Sequence, residues 1–274
     1  MQSGHYLGCY YIDFEKYRTG STIPHIYYKD YKSEPFPLVK IDEQKRIVAK
    51  LDECFEAIDK ARANVEKNLN NAKELFQSQL NQIFSQKGDG WVDKKLGEVC
   101  KYDKTRNEDD SLAYVGLEHI ESNTGKFIGS YEPHKVKSST FYFNKNHVLY
   151  GRLRPYLNKV LLPNFEGHCS SEIFPILPNE DILREYLFYW LISGNTVKQI
   201  DATWTGARMP RANMNQVIDF LLPVPLMEEQ QKIIKQLDEL KNQTQTLESS
   251  YQQELDALDE LRKSILQKAF NGEL

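Results

Sequence analysis

Two long stretches of the chain place apolar residues at the spacing of an amphipathic helix. The first includes Ile47, Leu51 and Leu80, and the second includes Ile233 and Leu266, each with further apolar residues three or four positions apart. Both stretches lack proline and glycine and begin with acidic residues, which suit the positive end of a helix dipole. At 1.5 Å per residue, a helix of about 45 residues is about 65 Å long. Two such helices most simply bury their apolar stripes against each other, so the pattern predicts a coiled coil.

The two stretches belong to an internal repeat. At an offset of 186 residues, positions 19–84 align without a gap with positions 205–270 and share 16 of 66 residues. Chance pairing of such compositions would give about 4 identities. Residues 1–38 therefore resemble the last part of the region that precedes the second helix, and we expect the chain to begin inside a domain whose earlier part is missing.

Short β-prone segments separated by Gly, Asn and Pro lie between the two stretches. One helix is predicted here, from about Glu180 to Ile200. The predicted fold class is α/β (α+β), with a globular domain flanked by two long helices. We expect the residual part of a first globular domain at 1–38, the first long helix at 39–88, a complete globular domain at 89–225 and the second long helix at 226–274.

Composition excludes several classes of protein. The 274 residues contain 35 Lys and Arg against 39 Asp and Glu, a formal net charge of −4. The mean hydropathy is −0.60, and no run approaches the roughly 18 apolar residues of a membrane span. The four cysteines lie far apart and no signal segment opens the chain, which predicts a reducing, cytoplasmic location and no disulfide framework.

Motifs of metal, nucleotide and catalytic sites are missing from the sequence. The histidines lack metal-site spacing, and the phosphate loop, the dinucleotide turn and the base-gripping motif of amino-methyltransferases are all absent. Asp30 with Glu43-Gln44-Lys45 fits a nuclease pattern, but Glu43 begins the first long helix and recurs as Glu229. We therefore predict no catalytic residue, no metal ligand and no cofactor in this chain.

Two windows of the sequence contain no acidic residue. The 33 positions between Glu132 and Glu166 mix Lys and Arg with aromatic residues, and a second window lies between Asp201 and Asp219. Lys and Arg release counterions from DNA phosphates, while Arg, Asn and Gln can hydrogen-bond to base edges. The windows favour a DNA-binding surface, although the same composition also fits solvated cations beside a sheet core.

The chain resembles the DNA-specificity (S) subunit of type I restriction-modification systems. The resemblance extends from about residue 18 to the end and depends on the order of several motifs together with the repeat. The motifs are Lys95-Leu96-Gly97-Glu98-Val99, the segment from Val148 to Lys159, Ser170-Ser171-Glu172-Ile173, Thr205-Gly206 with Met209-Pro210-Arg211, the segment from Pro223 to Gln230, and Leu266 to Leu274.

The resemblance implies a non-catalytic subunit in which target-recognition domains alternate with long helices that pair antiparallel. Each recognition domain reads one half of a bipartite DNA site, and the helices set the gap between the halves. Modification subunits that carry S-adenosylmethionine dock on the S subunit and methylate adenine, and a restriction (motor-nuclease) subunit completes some assemblies. Because one recognition domain is complete here, we expect a head-to-tail homodimer, or pairing with another S chain. The alternatives from other classes are a coiled-coil scaffold without DNA binding and a stand-alone DNA-modifying enzyme.

Eight residues are expected to line the DNA face. A structural alternative for Arg154-Pro155-Tyr156 is a turn that shapes the domain, since a recurrent motif cannot encode a variable target. Base-reading residues are expected in less stereotyped loops, at 103–111 or 121–137. The eight predicted residues are Lys135, Lys137, Arg152, Arg154, Tyr156, Lys159, Arg208 and Arg211.

Overall fold

The computed structural model describes residues 13–20, 23–34, 39–206 and 208–274. The longer helices are α1 (Ile41–Ser85), α2 (Arg184–Ile192), α3 (Gly194–Asp201) and α4 (Met227–Asn271), and helical turns cover Phe14–Tyr17, Tyr28–Tyr31, Leu96–Val99, Leu117–His119, Pro155–Leu157 and Met214–Val217. The strands are β1 (Val92–Lys95), β2 (Cys100–Tyr102), β3 (Ala113–Val115), β4 (Thr140–Phe143), β5 (Val148–Gly151), β6 (Val160–Leu161), β7 (Gly167–Ser170), β8 (Ile173–Pro178) and β9 (Leu221–Val224).

The repeat in the sequence is also a repeat in the structure. Helices α1 and α4 each contain 45 residues, and their first and last residues differ in number by the same 186 positions. Each helix carries the same bond at its start, in which the amide of Gln44 donates to Val39 O and the amide of Gln230 donates to Pro225 O. Each glutamine side chain binds a carbonyl five residues earlier, before the helix begins, so the repeated glutamine ties the preceding segment to the first turn of both helices.

The chain divides into two compact units, one formed by residues 1–73 and 245–274 and the other by residues 74–244. In the first unit, α1 and α4 pack side by side through an apolar cluster that includes Leu51, Leu266 and Ala269. Ion pairs between Arg62 and Asp259 and between Asp59 and Arg262 link the two helices. Residues that come later in α1 contact residues that come earlier in α4, so the two helices run antiparallel. The expected coiled-coil pairing is present in this unit.

The second unit contains three small sheets. Strands β2, β8, β5 and β6 form a four-stranded antiparallel sheet in that order, and β1 pairs antiparallel with β9. In the third sheet, β7 lies between β3, to which it is parallel, and β4, to which it is antiparallel. The α+β fold class predicted from the sequence is confirmed.

The helix predicted from Glu180 to Ile200 is two helices. It starts later, at Arg184, and breaks at Ser193, whose backbone is extended and whose hydroxyl accepts a bond from Thr196 N to begin α3. Every residue from Tyr186 to Ile192 is buried, so α2 is apolar on all sides rather than amphipathic. A helix that is buried on all sides has no polar face. Its sequence therefore lacks the amphipathic pattern from which the end of a helix could be predicted.

The main core of this unit includes the ends of α1 and α4 that belong to it. Leu80 and Phe84 share a buried cluster with Tyr186, Ile233 and Leu237. The Phe84 and Tyr186 rings meet edge to face with centroids 5.3 Å apart. Across the described residues, no helix is both long enough and apolar enough to cross a membrane.

This core predicts a strong effect of shortening Leu80. Replacing the fully buried Leu80 by alanine should lower the free energy of unfolding by about 2–5 kcal/mol, because it leaves a cavity. Leu75→Ala, on the same helix and 44% exposed, should cost much less. Chemical denaturation of both variants measures the difference, and equal losses would contradict the burial of this face.

Candidate nucleic-acid interface

Two loops of the second unit are joined by their backbones. Where β5 ends, Arg152 accepts a bond from Ala212 N, and Arg154 N donates to Pro210 O at 2.7 Å. Thr205 and Arg211 exchange two backbone bonds, of 3.0 and 3.1 Å, which close the second loop on itself. The segment 152–159 and the described residues of 204–212 (204–206 and 208–212), which are far apart in sequence, are therefore joined.

Arg154 has a left-handed backbone, with φ of 53°, and so does Asn158, with φ of 47°. Such conformations are unfavourable for residues with a Cβ and persist only where the surroundings hold them. Pro155, buried between them, starts a helical turn that reverses the chain. The structural alternative predicted for Arg154-Pro155-Tyr156, a turn that shapes the domain, describes this segment well.

The joined loops expose planar and cationic side chains to solvent. Tyr156 is 52% exposed, Trp204 51% and Met209 46%. Arg154 and Arg208 are also exposed, and neither forms an ion pair with any residue in the described part of the chain. We call Arg154, Tyr156, Trp204, Arg208 and Met209 the exposed loop surface.

Arg152 and Arg211, also predicted on the DNA face, bind the same carboxylate. Arg152 Nε donates to Glu172 Oε2 at 2.9 Å, and Arg211 Nη2 donates to Oε1 at 2.9 Å. Burial acts to raise the pKa of Glu172, but hydrogen bonds and charge from the two arginines outweigh it, so the pKa lies below its ordinary value. Glu172 therefore stays ionised at neutral pH and neutralises part of the predicted cationic surface.

Lys159 points into the domain rather than toward solvent. Its ammonium donates to Leu117 O at 2.6 Å and to Ile120 O at 2.9 Å. These carbonyls belong to the helical turn at 117–119 and the residue after it, and a cation there satisfies otherwise orphaned acceptors. The geometry gives Lys159 a bracing role, and the predicted contact of Lys159 with DNA receives no support from its position.

The two loops predicted to read bases lie side by side. Lys135 in the second loop forms an ion pair with Asp110 in the first, and His134 N donates to Leu112 O. Lys137 is exposed and has no ion-pair partner among the described residues. Asp103 and Asp109 each accept bonds from the residue two positions on, which fixes the shape of the first loop. An open cleft of about 460 Å³ borders this loop and includes Arg106, Asn107 and Glu108.

Lys104 belongs to the predicted base-reading loop at 103–111 but is not among the eight residues predicted on the DNA face, because it lies outside both acid-free windows. Its ammonium stands 4.9 Å from the centroid of the Phe174 ring, the same ring that the Arg152 guanidinium covers at 5.4 Å. Lys104 and Arg152 reach the same ring because β2 and β5 both flank β8. The sequence alone does not give this strand pairing, so it could not place Lys104 there. Among the described residues, no cluster of three or more His, Cys, Asp or Glu side chains is placed to hold a metal ion.

The sequence model of the type I restriction modification DNA specificity domain matches residues 88–257, more than half of the chain. The chain belongs to this family. The matched range includes the exposed loop surface, Glu172 and both predicted base-reading loops. The family expected from the motifs is thereby confirmed.

Two relatives of this specificity-domain chain come from Escherichia coli. The type I restriction enzyme EcoDI specificity subunit is 26% identical over 93% of this chain and 66% of its own length. The EcoR124I/EcoR124II specificity subunit is 23% identical over 83% of this chain and 60% of its own length. The chain thus spans somewhat less than two thirds of each relative.

Two solved structures share the fold of this specificity-domain chain. One, described as showing complex assembly and conformational transition of the type I R-M system, has a TM-score of 0.77 at 21% identity and covers 93% of this chain and 66% of its own. The other is the HsdS subunit from Thermoanaerobacter tengcongensis, with a TM-score of 0.56 at 22% identity, covering 93% and 65%. The likeness supports the architecture of long helices flanking a sheet domain.

The bonds of Lys159 predict a loss of stability rather than of charge-dependent binding. Lys159→Ala should lower the free energy of unfolding by about 1–3 kcal/mol, because two partly buried carbonyls lose their donor. Lys145→Ala, an exposed lysine in the same window, serves as the control. Thermal or urea unfolding measures the effect. Unchanged stability together with a weaker salt dependence of DNA binding would instead restore the DNA contact predicted from sequence.

Proposed function

We propose that this chain is a DNA-recognition subunit of a type I restriction-modification complex, which binds one half of a bipartite site. The family and the names of its relatives support the assignment. The observation that carries it is the exposed loop surface, which combines the exposed Tyr156 and Trp204 with Arg154 and Arg208, two exposed arginines that have no ion-pair partner among the described residues. Arginines neutralise phosphates, and flat aromatic side chains pack on sugars and bases.

In this proposal different parts of the domain have different tasks. Arg154 and Arg208 bind the backbone and set the position of the domain on the duplex, which needs no sequence information. The loops at 103–111 and 121–137 supply base contacts through Arg106, Asn107 and Lys137. Amide and guanidinium groups can read base edges in the major groove through paired hydrogen bonds.

Other subunits complete the proposed complex. Modification subunits carrying S-adenosylmethionine dock on the chain and perform methylation, so the chain itself contributes no catalytic group. A restriction subunit joins in systems that also cleave DNA. A second S chain, either another copy or a different one, supplies the second half-site reader. Long helices suit such docking, because their exposed faces offer an extended surface for partner helices.

The proposed role of the exposed loop surface predicts a change in the salt dependence of DNA binding. In the complex with its modification subunit, Arg154→Ala combined with Arg208→Ala should reduce the slope of log affinity against log salt by about 1.8, that is, about 0.9 for each lost phosphate contact. Target and random duplexes should weaken alike, because phosphate contacts carry no sequence information.

Lys101→Ala combined with Lys198→Ala provides a matched control. It removes the same charge from exposed positions outside the long helices and the proposed DNA contacts, so it separates a local contact from a change in net charge. Fluorescence anisotropy across a salt series gives the slopes. A slope for the arginine double variant that equals that of wild type would overturn the proposed DNA contact.

A further inference from the structure

Three cationic side chains contact Glu172 or Phe174, near the start of β8. Arg152 follows β5, Arg211 lies in the second joined loop, and Lys104 follows β2. Strands β2 and β5 are both hydrogen-bonded to β8, so their ends arrive on either side of Glu172 and Phe174. Three separate segments thus contribute positive charge to one place, although no two of the cations are close in sequence.

The charges at this place do not balance. Glu172 is the only carboxylate that pairs with any of the three cations among the described residues. One negative charge against three positive charges leaves a local excess of about two. An ion-pair network that only stabilises the fold requires no excess of positive charge. A site that binds an anion does require one.

Arg152 and Lys104 also keep hydrogen-bond donors unused. Arg152 donates only through Nε, so within the described part of the chain its two terminal amino groups have no acceptor. The Lys104 ammonium contacts the Phe174 ring but has no ion-pair partner there. Both remain reachable, since Lys104 is exposed and the Arg152 side chain is 32% exposed. A small anion with several acceptor oxygens fits these donors, and phosphate is the type that a guanidinium fork binds best.

Glu172 and Phe174 fix the geometry of these donors. Without Glu172, the guanidiniums of Arg152 and Arg211 would repel each other and separate. The Phe174 ring is 6% exposed and holds both Arg152 and Lys104 by cation–π contacts, leaving their polar edges free. The arrangement is therefore set before any ligand arrives.

We propose that Lys104 and Arg152 bind one backbone phosphate of DNA, and that Arg211, Glu172 and Phe174 are the positioning residues of this site, with Arg211 engaged through all three of its nitrogens. This inference rests on the proposed function for its ligand. The site adjoins the exposed loop surface, since Arg211 Nη1 donates to Met209 O, and it adds a phosphate contact on the side of the domain where the loop at 103–111 begins.

Inorganic phosphate tests the site without DNA. Its affinity is measured from the rise in melting temperature during a phosphate titration, with chloride keeping the ionic strength constant. Lys104→Ala should weaken phosphate about tenfold, the size of one charge-assisted hydrogen bond. Lys101→Ala, three residues earlier and also exposed, should leave the affinity unchanged. Equal affinity of wild type and Lys104→Ala would overturn the site.

Glu172→Gln tests the positioning role, because the two possible roles of Glu172 predict opposite changes in phosphate affinity. Removing a negative charge beside an anion should strengthen binding if Glu172 only neutralises its neighbours. The positioning role predicts the opposite, a fall in phosphate affinity of about tenfold, because one amide oxygen cannot hold both guanidiniums. Stronger binding would overturn the positioning role. Phe174→Leu keeps an apolar side chain without the π face, should weaken phosphate as well, and provides the readout if the Gln variant does not fold.

Duplex DNA then separates this inference from the proposed function. Lys104→Ala should lower the salt slope by about 0.9 for target and random duplexes alike, while Lys101→Ala should not. Phosphate binding without any DNA binding by the wild-type complex would overturn the proposed function and the DNA ligand. DNA binding with an unchanged slope in Lys104→Ala would overturn this site alone.

Discussion

The shared carboxylate of Glu172 is the constraint on which the candidate interface depends. It accepts bonds from Arg152 and Arg211, which are 20 and 39 residues away in sequence, and so holds two loops together. The backbone bond from Arg154 to Pro210 acts at the same junction. With the loops joined, Arg154 and Arg208 reach solvent on one surface. The carboxylate is only 23% exposed, and there water competes weakly with the arginines.

Cations of the domain therefore fall into different physical classes. Lys159 satisfies carbonyls of a neighbouring turn, and Arg152 and Arg211 share one acid, whereas Arg154 and Arg208 have no ion-pair partner among the described residues. Of these cations, only Arg154 and Arg208 are entirely available to a nucleic acid, and their charge lies at the surface of the domain. Lys159 stabilises the part of the domain that supports them. Counting the positive charges in the sequence does not distinguish these classes.

The long helices could be predicted from sequence because their apolar spacing is local and their repeat is regular. The predicted segments at 39–88 and 226–274 contain the observed helices, and Leu51 and Leu266, which share one buried cluster, both lie on the predicted apolar stripes. The roles of Arg152, Lys159 and Lys104 could not be predicted. Each depends on a partner brought near by strand pairing, and the sequence pattern does not contain that pairing.

Photo-crosslinking from position 156 tests most directly whether the joined loops face DNA. A photoreactive phenylalanine replaces Tyr156 in the complex with its modification subunit, and the same reporter at the exposed Leu221 on β9, outside every proposed DNA contact, provides a comparison. If the joined loops face DNA, position 156 should give a crosslink to duplex DNA that disappears as salt rises. Crosslinks from position 156 to protein alone, while the complex retains DNA, would contradict it.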